Sequence, residues 1–198
     1  MATSASSSSF VINAVYTYTF ANTLFEVFAP DPDKGIHLRP DADLAACLFA
    51  IICSVMTFRY FFGNNKFLED MFKSDKEPGV KLFHFLTIIL QSVVLLAISY
   101  LVRRKDEFVD WLACLFAIEV FWYVLCMIFD RDIVRTRGRL DRKFFISEMS
   151  NASMLLVTVI TLVPIPKHTG YDFTLMFMMF ALNCAVDAWA NMRNYMDS

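Results

Sequence analysis

The sequence predicts an all-α protein, a polytopic helical membrane bundle with five transmembrane helices and an N-terminal interfacial helix. Three observations predict it. Hydrophobic residues make up 57% of the chain and charged residues only 19%, against about half and a quarter in an ordinary soluble domain. The apolar residues gather in blocks of about twenty, the length a helix needs to cross a bilayer, rather than in one-sided stripes. Short charged or Pro/Gly-containing connections separate the blocks, so that neighbouring helices form hairpins. Residues 1–198 read as a single transmembrane domain.

The chain starts MATSASSSS, with no basic n-region and no apolar core directly behind it, and does not read as a cleaved signal peptide. Residues Phe10–Ala29 are apolar but interrupted by Asn13, Thr17, Thr19, Asn22, Thr23 and Glu26. They are expected to lie in the membrane interface, a sixth span being the alternative. Pro30 ends that helix, and a polar loop rich in turn residues follows.

The first span is Leu44–Phe62, stopped by Gly63-Asn64-Asn65. Phe67, Leu68, Met71 and Phe72 then share one face of a short helix expected on the membrane surface, broken at Pro78-Gly79. The second span, Leu82–Val102, and the third, Val109–Phe129, flank the charged turn Arg103–Glu107. A charged segment, 130–143, leads to the fourth span, Phe144–Val163, which ends at Pro164 and Pro166. The fifth span is Tyr171–Ala190.

Basic residues set the orientation. Five spans put six of the eighteen Lys and Arg on one side and twelve on the other. The richer side, with loops 63–81 and 130–143, is expected to be cytoplasmic. The membrane is expected to be a plasma membrane or a bacterial inner membrane.

Glu119 is the ionisable residue at the centre of the third span, where a bare carboxylate is most costly. Counting the helical rise places Gln91, Glu119 and Asn183 in one central layer. Arg59, Glu148, Asp187 and His84 fall on a second level, roughly 9 Å closer to the cytoplasm. No basic residue is expected at the depth of Glu119, and desolvation disfavours its charged form. Tyr123, Gln91 and Asn183 are its expected partners, and Arg59 is expected to pair with Glu148 or Asp187. The bland alternative is a hydrogen-bonded carboxyl that only specifies packing.

Enzyme chemistry has no positive signal: the chain carries no GxSxG, P-loop, HExxH or Gly-rich dinucleotide turn. The histidines, His37, His84 and His168, lie on different segments, and the five cysteines sit inside apolar runs without ligand spacing. No catalytic residue, metal site or cofactor is expected. A net charge of −2 gives no reason to expect nucleic acid. Arg131, Arg135, Arg137, Arg139, Arg142 and Lys143 are expected to meet anionic lipid headgroups or an acidic surface on a soluble cytoplasmic partner.

Two function classes follow. One is an ion- or proton-responsive membrane module (channel, transporter or sensor), assembled as a homo-oligomer because one small bundle has little room for a pore. The other is a non-catalytic structural or docking subunit of a larger membrane complex, such as a component of a bacterial defence or respiratory system.

Overall fold

The longest described helix is α2, Leu44–Lys73, 30 residues, and the other elements are arranged about it. The computed structural model describes residues 3–31, 33, 35–74, 76–129, 150–154 and 170–196. Helix α1 covers Thr3–Val27, α3 Pro78–Tyr100, α4 Lys105–Phe129 and α5 Gly170–Met196. Residues 150–154 are helical as well. The protein is mostly helical, and α2, α3 and the Lys105–Cys126 part of α4 are long and apolar enough to cross a membrane.

The fifth expected span falls on α5, whose continuous apolar stretch is the shorter Thr174–Val186. The fourth lies mostly outside the described residues, as does the basic segment 130–143. Among the described residues one element is not helical. Phe28–Asp31 (β1) and Gly35–Leu38 (β2) form an antiparallel hairpin, with Phe28 opposite Leu38 and Asp31 opposite Gly35. Gly35 has φ +72°, a conformation that glycine adopts without a Cβ clash. The loop expected between the first two helices is thus a closed hairpin.

Helix α2 does not stop at Gly63. Its buried residues fall at Ala46, Phe49, Cys53, Met56, Tyr60, Leu68 and Met71, one stripe at helical spacing that runs through the glycine. The amides of Asn64 and Asn65 bond to α1, at Tyr16 Oη (2.7 Å) and Asn13 Oδ1 (2.7 Å). Tertiary bonds therefore use the asparagines that the sequence offers as a stop, and the expected separate surface helix is the last part of α2. Pro78 opens α3 from its first turn, where the missing N–H is no loss. Lys81 Nζ donates to Ser74 O (2.7 Å), beside the end of α2.

Contacts fix the helix directions. Asn13–Asn65, Phe20–Phe58 and Thr23–Cys53 make α1 antiparallel to α2. Tyr16–Ser92 and Asn22–Ser99 make it parallel to α3. Phe49 stacks on Phe108, centroids 4.2 Å apart, and Phe67 meets Trp122 edge to face, so α2 and α4 are parallel. Outward stripes such as Ile51/Val55/Phe58/Phe62 on α2 and Leu82/Leu86/Leu90/Val93 on α3 are apolar and exposed. Apolar on both faces is what a helix between protein and lipid requires.

One end of the bundle is pinned by charge. Arg103 bridges Glu26 (2.7 Å) and Asp41 at the exit of α3. Asp43 caps α2 through the Ala46 N–H (2.9 Å) and pairs with Lys105, the first residue of α4. Partial burial acts to raise the Asp43 carboxyl, but the Lys105 hydrogen bond and charge, with the Ala46 N–H, outweigh it and hold Asp43 below its ordinary 3.8. Hydrogen bonding and charge from Glu26, then Asp41, hold Arg103 above its ordinary value.

Two outcomes are expected. At Gly63 an added Cβ meets nothing within 4 Å, and φ is not positive. Gly63→Ala should therefore stabilise by up to about 1 kcal/mol in thermal unfolding; destabilisation would instead mark a helix stop there. The second concerns acid. Because the folded Asp43 lies below 3.8, its contribution is full above that pH and is lost as pH falls through the folded value. Melting curves of wild type and Asp43→Asn should differ at neutral pH, by about 1 kcal/mol for an exposed pair. They should converge below pH 3.8, and a gap that stays constant with pH would remove the charge from the account.

Candidate functional site: a polar layer in the bundle core

Glu119 is buried, at 5% exposure, between Leu115, Phe116 and Tyr123 of its own helix. Those residues point inward because they share its face of α4 at helical spacing. Its carboxylate Oε1 accepts a hydrogen bond from the Tyr60 hydroxyl of α2, itself fully inside the bundle. The expected partners Gln91 and Asn183 are buried too, but Asn183 donates to Asn151 (3.1 Å) and not to Glu119.

Depth changes with this contact. Arg59 precedes Tyr60 on α2, so it stands within about 1.5 Å of the Glu119 level along the helix axis. The expectation of no basic residue at that depth is corrected. The cause is the length of α2: with Leu44–Lys73 as one helix, its midpoint lies between Phe58 and Arg59 rather than at Cys53.

Arg59 is half-buried, and both its terminal nitrogens donate to Asn151 Oδ1, each at 3.3 Å. Asn151 is fully buried and also accepts from Asn183 Nδ2, so one amide oxygen joins α2, the 150–154 helix and α5. Among the described residues the Asn151 Nδ2 and Asn183 Oδ1 atoms have no hydrogen-bond partner. Glu148, the expected partner of Arg59, lies outside the described residues, and so does the side chain of Asp187. Arg131, Arg135, Arg137, Arg139, Arg142 and Lys143 also lie outside them.

A second polar cluster joins the same layer from the α1 side. Tyr16 Oη accepts from Asn64 Nδ2 (2.7 Å) and Ser92 Oγ (3.0 Å), tying α1, α2 and α3 at one point. Tyr60 and Asn64 are four residues apart, on one face of α2. That face carries the link from Glu119 towards Tyr16.

His84 belongs elsewhere. Its ring is fully buried against Phe67, Phe83 and Trp122, and Trp122 Nε1 donates to its Nδ1 at 3.0 Å. Phe67 is eight residues beyond Arg59, about 12 Å along α2. Trp122 is three residues beyond Glu119, about 4.5 Å along α4, so His84 lies beyond the Glu119 level on the side of the α2–α3 corner.

Tyr60, Asn151, Tyr16, Asn64 and Ser92 are the site residues that sequence reasoning left out. Their signal was periodicity: Tyr60 and Asn64 fall on one face only if the helix passes through Gly63, and Asn151 lies three residues from Glu148. No family model, curated protein or solved structure matches the chain.

A double-mutant cycle on Arg59→Ala and Asn151→Ala tests the layer. Charged-donor hydrogen bonds to a buried amide should give a coupling of about 1 kcal/mol or more. Strict additivity would show that the two side chains act independently.

Proposed function

We propose that the protein is an integral membrane module that responds to protons or ions, with Glu119 as the responding group. The observation that carries this reading is the Tyr60 hydroxyl on the Glu119 carboxylate inside the bundle, with Arg59 next to Tyr60 in the chain. Three influences meet there. Burial opposes a charged carboxylate, whereas the Tyr60 hydrogen bond and a guanidinium on the same level support it. A group held between opposed influences changes state with a small input, such as a proton or a cation.

Such a change has a route outward. A protonated Glu119 has a hydrogen to donate, so Tyr60 no longer has to supply one. Tyr60 shares its α2 face with Asn64, which bonds Tyr16 of α1. On the other side Arg59 reaches Asn151 and, through it, Asn183 of α5. Changed charge at Glu119 is thereby felt by helices that do not touch it.

Homo-oligomerisation, further spans among the remaining residues and a plasma or bacterial inner membrane belong to the same proposal. What supports them is the size of the chain and the uneven distribution of its basic residues.

The test uses the purified chain in lipid vesicles. Trp122 is one turn from Glu119, so tryptophan fluorescence should change with pH in the wild type and lose that change in Glu119→Gln, whose shape is nearly the same. Both proteins should melt alike. An identical titration in the two would make Glu119 a packing group and leave the structural or docking reading in its place.

A further inference from the structure

We propose that α1 is itself a membrane span, meeting lipid acyl chains with the face that bears Phe10, Val11, Tyr18 and Phe25; this rests on the membrane reading above. By composition α1 resembles a surface helix. Its arrangement in the bundle does not. Contacts with α2 run from Asn13–Asn65 to Thr23–Cys53, twelve residues of α2, or roughly 18 Å along the axis. A helix lying flat in the interface would cross α2 at one end. Helix α1 instead runs beside α2, one of the apolar spans, and its part from Phe10 to Val27 reaches about 27 Å, close to the hydrocarbon thickness.

Most of the polar residues that lower its apolarity are turned inward, and the exposed Thr17 returns its hydroxyl to Asn13 O (2.8 Å). Ile12, Tyr16, Thr19, Thr23 and Val27 form the buried stripe, at helical spacing. Thr19 and Thr23 return their hydroxyls to carbonyls one turn back, each at 2.8 Å, and Asn22 donates to Ser99 of α3 at 3.0 Å. Backbone-bonded hydroxyls and paired amides are what a bilayer tolerates.

The outward face is the apolar one. Phe10 is 74% exposed and Phe25 59%, with Val11 between helical turns of the same surface. Phe20 rests on Phe58, ring centroids 5.0 Å apart, and Phe58 belongs to the exposed apolar stripe of α2, so the two faces are continuous. The single charge in α1, Glu26, lies at the hairpin end and is bonded by Arg103. The occupant fitting a belt with these properties is hydrocarbon.

The assignment fixes sides: the N-terminus lies with the α2–α3 corner, and the hairpin with the α3–α4 turn. Four chains, each with one added cysteine, in sealed membranes test it, each read against the native chain with a membrane-impermeant maleimide before and after permeabilisation. Lys76→Cys and Arg104→Cys mark the two ends of α3 and should react from opposite sides. If they react from one side, the membrane reading itself fails. With that control satisfied, Thr3→Cys should react with Lys76→Cys and Asp33→Cys with Arg104→Cys. Thr3→Cys reacting on the side of Asp33→Cys, or only after detergent solubilisation, would overturn the span.

Discussion

The register between α2 and α4 is the constraint on which the rest of the structure depends. Asp43 caps one helix and pairs with Lys105, which opens the other, so the two start together. Phe49 then stacks on Phe108, and eleven residues further along both helices Tyr60 meets Glu119. Two parallel helices with equal rise keep any alignment set at one end. The stacked phenylalanines therefore set which residue faces a buried carboxylate about 16 Å further along the helix axis.

From that register follows an economy in the core. Polar side chains in a membrane bundle must bond one another, because lipid offers no alternative partner. Arg59, Tyr60 and Asn64 supply one helix's share, and three neighbours answer at Asn151, Glu119 and Tyr16. On the opposite face of α2 apolar residues, including Phe58 and Phe62, point outward. Helix α1 likewise turns Tyr16, Thr19 and Thr23 into the bundle.

Much of this was legible in the residues. Blocks of apolar sequence marked α2, α3 and α4, and a carboxylate at the centre of the third block marked Glu119 as a buried group. Gly63-Asn64-Asn65 was misleading for a physical reason: a glycine followed by two asparagines ends an isolated helix, but here both amides bond α1 and the helix continues. That one difference moved the α2 midpoint by about five residues and put Arg59, not Cys53, at the level of Glu119. Partners such as Asn151 depend on tertiary contacts across 92 residues of sequence, which no local pattern encodes. The hairpin at 28–38 was hidden by Pro30 and the turn residues around it, which read equally well as an open loop.

The central claim is that Tyr60 and Glu119 are partners at one depth. Solid-state magnetic resonance on the chain in bilayers, with carbon labels at Tyr60 Cζ and Glu119 Cδ, measures it directly. A hydroxyl–carboxylate hydrogen bond requires a separation of about 4 Å. If α2 ended at Gly63 with its centre at Cys53, the two residues would be offset by about 10 Å along the axis, and a separation of that size would contradict the account.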